Sequence, residues 1–158
     1  MTISTIYNIP LLSIDNIPID LNKFKNKYLL IVNVASFCGY TTQYKHLQKL
    51  YEIYDNLEII ATPCNQFLFQ EPFGPKKIKQ FCTKNYGVNF QISEKLNVKG
   101  KNQHELYKWL TDKKLNGIKG SSVSWNFNKY LIGLNGEFIN HFLSDINPLS
   151  SKITNHLK

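Results

Sequence analysis

The groups best suited to covalent chemistry in this chain are three cysteines, Cys38, Cys64 and Cys82. They do not read as a metal site. There is no C-x-x-C pair, and His46, His104, His141 and His156 are spread without ligand spacing. An odd number of thiols, with no leader ahead of them, argues against a disulfide framework and for reactive sulfur. Cys38 has the most informative setting. In "NVASFCGYTTQY" it follows an apolar, β-branched run and precedes residues expected to open a helix. A helix N-terminus carries partial positive charge and unpaired N–H groups. Both favour thiolate over thiol, and the thiolate is the nucleophile. Sites in open α/β sheets also gather beyond the carboxyl ends of strands. On position alone, an inert buried cysteine is an equal alternative.

A thiolate does not choose its reaction; the donors around it do. Gln70 sits in a loop after the next expected strand, and its amide offers two donors and an acceptor. Trp125 brings an indole N–H and Asn126 a second amide, at the start of a later strand. Three uncharged donors around one sulfur would stabilise an anion without protonating it. Were the target a peroxide O–O bond, the same donors could hold the departing oxygen. The plainer alternative makes Trp125 a core aromatic and leaves Gln70 and Asn126 to satisfy loop backbone.

Those residues need a frame. "IYNIPLLSIDNIPIDL" reads as two short strands, an N-terminal β-hairpin around Asp15-Asn16. "YLLIVNVAS" reads as a strand buried on both faces, and "LEIIATP" as a second. Between them, Thr41 or Thr42 caps a helix with Tyr44, Leu47, Leu50, Tyr51 and Tyr54 at helical spacing. Pro75 opens another helix that Gly87 stops. "NFQIS" is weakly strand-like, and "NQHELYKWLTDKK" is a helix with Leu106, Tyr107 and Leu110 inward. Asn135-Gly136 marks a hairpin in "WNFNKYLIGLNGEFINHF". A last helix places Leu149, Ile153 and Leu157 on one stripe. Buried strands joined through helices, followed by a late hairpin, make an α/β sandwich: a central mixed β-sheet flanked by helices. A thioredoxin-like arrangement fits this order.

Residues 1–158 are long enough for one domain with a conventional core. No apolar run reaches the ~20 residues of a membrane helix, and the N-terminus lacks the basic lead of a signal peptide. A cytoplasmic location is therefore the expectation. The net charge of +8 comes from scattered lysines with no nucleic-acid-reading motif around them, so no nucleic-acid partner is expected.

"NVASFCGYT", "PCNQFLFQEP" and "WNFNKYL" together resemble the three signature segments of the glutathione peroxidase family, in the family's order and across nearly the whole chain. The resemblance implies a thioredoxin-like fold and a thiol peroxidase with no prosthetic cofactor. It implies that Cys38 attacks hydrogen peroxide or organic, including lipid, hydroperoxides. Gln70, Trp125 and Asn126 fill the other places of the family's catalytic tetrad. Cys82 corresponds to the resolving cysteine of the cysteine-type members, which are reduced mainly by thioredoxin, with glutathione the alternative reductant. Cys64 is read as structural or auxiliary, with a Cys38–Cys64 disulfide left open. Cys82 lies on the expected helix after Pro75, so the first half of that helix is expected to unwind or move. Three positions depart from the family pattern: Thr62, Phe73 and Gln91. The stretch "TDKKLNGIKGSSVSW" is short where tetrameric members carry an insertion, which implies a monomer with an open site. A peroxide sensor or redox relay would use the same thiols.

Overall fold

The computed structural model describes residues 5–158. The expectation about a leader falls partly on residues 1–4, which lie outside the described residues. The elements after two short 3-10 turns are β1 (Tyr28–Val34), α1 (Gln43–Ile53), β2 (Leu57–Pro63), α2 (Pro75–Tyr86), β3 (Gln91–Ile92), α3 (Glu105–Thr111), α4 (Lys113–Asn116), β4 (Lys129–Ile132), β5 (Phe138–Phe142) and α5 (Ser151–Thr154). They build a mixed sheet in the order β3-β2-β1-β4-β5. β1 pairs parallel with β2 and antiparallel with β4, so β1 lies at the centre.

Alternation along the strands sends side chains to two separate cores. Leu30, Val32 and Val34 of β1 join Tyr44, Leu47 and Leu50 of α1, Ile78 and Cys82 of α2, and Ile153 of α5. Leu29 and Ile31 join the N-terminal segment and Leu106, Tyr107 and Leu110 of α3 on the other face. β1 is thus covered on both sides, which its nearly unbroken apolar sequence requires. The Asn135-Gly136 hairpin forms as expected. Gly136 adopts φ 78°, the left-handed residue that follows the turn.

Two expectations are corrected. The N-terminal hairpin is reduced to one antiparallel bridge, Leu12 with Pro18, closed by Ser13 N–H to Ile17 O and Ile19 N–H to Leu11 O. Pro10 and Pro18 have no N–H to give a ladder, and Ser13 Oγ accepts from the Asp15 and Ile17 amides instead. The helix expected through Lys114 stops at Thr111. Asp112 leaves helical geometry and its carboxylate accepts from Lys114 N–H, starting α4 afresh.

Candidate active site

Cys38 follows β1 in a bend that enters α1 through successive tight turns, with Thr41 N–H donating to Cys38 O. Thr41 is not a side-chain cap for α1, and neither is Thr42. Its hydroxyl instead accepts from Cys38 N–H at 2.9 Å and donates to Ala35 O at 2.7 Å, which pins the cysteine loop to the strand end. Cys38 is 8% exposed, and its sulfur accepts one backbone donor, Tyr40 N–H, at 3.4 Å.

The loop after β2 is tied to this bend by Phe37 N–H donating to Gln70 O. Leu68 and Phe69 both sit in the left-handed region (φ 53° and 54°), in a turn closed by Gln70 N–H to Phe67 O. Two consecutive non-glycine residues there hold strain of order 1–2 kcal/mol each. That strained turn aims Gln70 back toward the cysteine loop.

The third segment arrives from before β4. Asn126 Nδ2 donates to Gln70 Oε1 at 3.0 Å, so the two expected amides touch directly. With its side-chain oxygen engaged, the Gln70 Nε2 hydrogens have no protein partner among the described residues. Asn126 Oδ1 is buried and unpartnered. Trp125 packs on the core that contains Cys38 and against Phe67, ring centroids 5.5 Å apart. Its indole N–H makes no hydrogen bond among the described residues. None of the three expected donors bonds to the Cys38 sulfur itself. An open concavity of about 430 Å³ runs beside Trp125 and Tyr40, bounded by Ser144 and Asp145. A larger pocket, of about 730 Å³, lies elsewhere, between the 14–16 loop and α2.

Sequence reasoning missed the residues that hold this arrangement. Asn33, the penultimate residue of β1, donates to Trp125 O and accepts from Asn128 N–H, both at 3.0 Å, while its carbonyl accepts from Phe127 N–H at 2.6 Å. Phe127 is held at φ 62° by that grip. Ser144 Oγ donates to Asn126 O, and fully buried Lys129 donates to the carbonyls of Leu143, Ser144 and Ile146. Burial pulls the Lys129 amine down to about 7, with Asp145 opposing. The three carbonyls match the three N–H donors of an ammonium and favour the charged form. A lone amide in an apolar strand and a lysine in an apolar run were the available signals.

The other cysteines lie in different places. Cys82 is fully buried on α2, in the same core as Cys38. Burial pushes its thiol up to about 11. Tyr44 pulls the other way, though its hydroxyl forms no hydrogen bond of good geometry with the sulfur. Cys64 occupies the opposite core, where its sulfur meets Gln66 N–H and Oε1, and burial raises its thiol too. All three cysteines are free. Of the departures, Thr62 bonds Tyr107 in the core, Phe73 meets Phe37 edge-to-face at 5.1 Å, and Gln91 lies in β3. Among the described residues there is no cluster of metal-ligating side chains and no helix long and apolar enough to cross a membrane.

A mixed sheet flanked by helices, with a cysteine just past the end of its central strand β1, is a thioredoxin-like fold. A thioredoxin-family thiol:disulfide interchange protein from Chlorobium tepidum shares the fold, with a TM-score of 0.67 at 12% identity over 100% of this chain and 99% of that one. The glutathione peroxidase family model matches residues 6–111. The glutathione peroxidase-like peroxiredoxin GPX3 of Candida albicans is 43% identical, covering 94% of this chain and 90% of its own. The hydroperoxy fatty acid reductase gpx1 of Synechocystis is 40% identical, covering 92% and 90%. The crystal structure of Trgpx in apo form superposes with a TM-score of 0.77 at 31% identity, covering 99% and 97%. The chain belongs to the glutathione peroxidase family, and it is a peroxidase with cysteine at position 38.

Proposed function

We propose that Cys38 reduces hydrogen peroxide and organic hydroperoxides, with Gln70, Trp125 and Asn126 as its catalytic partners. The observation that carries this is the bonded Gln70–Asn126 pair, tied to the cysteine loop through Phe37 N–H. The Cys38 sulfur attacks one peroxide oxygen and becomes a sulfenic acid, and the other oxygen leaves as water or alcohol. The free N–H groups of Gln70 and Trp125 stabilise that departing oxygen. Exposed Phe37, Leu68 and Phe69 on the two loops that bear Cys38 and Gln70 suit an apolar hydroperoxide. The Synechocystis relative's name, a hydroperoxy fatty acid reductase, agrees with that substrate class.

Cys82 is the resolving thiol and a thioredoxin-type protein the reductant. Cys38 and Cys82 share one face of the sheet while Cys64 lies on the other, which favours Cys82 over Cys64. Since Cys82 is buried within a formed helix, α2 opens before the disulfide closes. The reading includes a monomer acting in the cytoplasm without a prosthetic group. Steady-state turnover of Cys38→Ser, Cys64→Ser and Cys82→Ser with hydroperoxide, thioredoxin and its reductase tests it. The first loses peroxide reduction, the second retains turnover, and the third stops after one oxidation of Cys38. Normal turnover by Cys82→Ser refutes the resolving role, and turnover by Cys38→Ser refutes the whole reading.

A further inference from the structure

Glu71 follows Gln70 directly and is fully buried, an uncommon place for a carboxyl. One oxygen accepts from Ser36 Oγ at 2.7 Å, two residues before Cys38. The other, Oε2, is buried and has no hydrogen-bond partner among the described residues. Tyr44 of α1 and Cys82 of α2 lie within its electrostatic reach, and the carboxylate disfavours the ionisation of both. Tyr86 lies beside Tyr44, and Lys95 is the nearest cation that acts on Glu71. A carboxyl bonded to the Cys38 loop, with a free oxygen and Cys82 within electrostatic reach, is disposed to accept a proton. Burial pushes it up to about 7, near the pH at which a base works best.

We infer that Glu71 is the base of the resolving step: its free oxygen takes the Cys82 proton as that thiol attacks the sulfenic acid on Cys38. The inference rests on the resolving role proposed for Cys82. The Cys82 S–H bond breaks and its proton passes to Oε2. The Cys82 sulfur bonds to the Cys38 sulfur while the Cys38 S–OH bond breaks. The departing hydroxide takes the proton back and leaves as water. Cys82 is oxidised, the sulfenic sulfur is reduced, and Glu71 ends unchanged. A buried thiol raised by its surroundings needs such a base, because little of it ionises unaided at neutral pH.

The test oxidises the reduced full-length protein with one equivalent of hydrogen peroxide and follows Cys38–Cys82 disulfide formation by quenched-flow mass spectrometry from about pH 5 to 10. Sulfenic acid formation is timed separately. In the parent protein the disulfide rate rises to about pH 7 and then levels. In Glu71→Gln, whose amide oxygen can still accept from Ser36, it falls about a hundredfold at pH 7 and climbs about tenfold per pH unit instead. A merely structural glutamate would not change the shape of that profile. A Glu71→Gln rate within about threefold of the parent, or a parent rate that climbs unbroken past pH 9, overturns the inference. Should Glu71→Gln fail to fold, the parent profile decides alone. If the parent forms no Cys38–Cys82 disulfide, the Cys82 reading fails and takes this one with it. If it forms the disulfide and Glu71→Gln matches it, only the Glu71 inference fails.

Discussion

Ile78→Val offers a quantitative check on whether α2 must open for Cys82 to react. α2 has twelve residues, yet only Ile78 and Cys82 are buried. Gly74 supplies no side-chain cap, no acidic residue lies in the first turn, and Lys76 and Lys77 set positive charge against the positive end of the helix dipole. Phe81 and Tyr86 add half-buried ring contacts to Tyr44, with centroids 6.5 and 5.5 Å apart. Ile78 is therefore the chief anchor besides Cys82 itself. Removing one buried methylene there costs about 0.5–1.5 kcal/mol. If the open form of α2 gates the reaction, its population and the disulfide rate both rise by about 2- to 12-fold, at ~1.36 kcal/mol per decade. Lys76→Glu moves the opposite way, with about 0.3–1 kcal/mol of added dipole stabilisation slowing the step roughly 2- to 5-fold. Hydrogen exchange on the α2 amides reports opening, and quenched-flow mass spectrometry after one equivalent of peroxide reports the disulfide. Faster exchange in Ile78→Val with an unchanged disulfide rate would refute the reasoning, since opening would then lie off the route.

Gln70→Ala and Trp125→Ala should each slow sulfenic acid formation on Cys38 by about 10²–10³-fold, the usual loss for one preorganised donor, measured by stopped-flow with excess hydroperoxide. Leu68 is exposed at φ 53°, so Leu68→Gly relieves left-handed strain and should raise stability by about 0.5–1 kcal/mol, or a few degrees in Tm by calorimetry. An unchanged or lower Tm would mean the turn is not strained as argued. For Glu71 the folded carboxyl titrates near 7 and the unfolded one near 4.5, so the folded state holds the extra proton between those values. The stability this lends is present below pH 4.5 and lost as pH rises through 7. Glu71→Gln should therefore match the parent near pH 4 in urea titrations and exceed it by roughly 3 kcal/mol near pH 8.

The sequence disclosed those parts of the fold in which local signals agree. β1 and β2 follow from largely apolar runs, and α2 from Pro75 and Gly87 at its two ends, where Gly87 takes φ 59°. The late hairpin follows from Asn135-Gly136. Prediction weakened where side chains and backbone compete for the same hydrogen bonds. Thr41 or Thr42 reads as the cap of α1, yet neither side chain caps it, and the Thr41 hydroxyl serves the Cys38 and Ala35 backbone. Asp112 reads as interior to a helix, yet its extended backbone ends α3 and its carboxylate caps α4. The loop residues of the candidate site were legible because their types are unusual where they stand. Their supports were not, because Asn33, Lys129 and Glu71 acquire their partners only through long-range pairing.

Those supports explain how three distant segments hold a common geometry. Hydrogen bonds from Asn33 clamp residues 125–128 against β1, and a fully buried amide left unpaired would cost about 1–3 kcal/mol, so the clamp is strongly specified. Lys129 and Gln43 both donate to Ser144 O, and Ser144 Oγ in turn donates to Asn126 O. Gln43 sits in the first turn of α1, the helix entered through Cys38, so one carbonyl links the cysteine helix to the loop bearing Asn126. Gln70 is placed from the other side, by Phe37 N–H and by the strained turn at Leu68-Phe69. A lysine buried three residues after Asn126 would shift the local field, but all three of its protons point to carbonyls around 143–146, in the turn that follows β5. Its charge is thus directed at backbone dipoles, and the proposed donor that borders the open concavity, Trp125, is a neutral one.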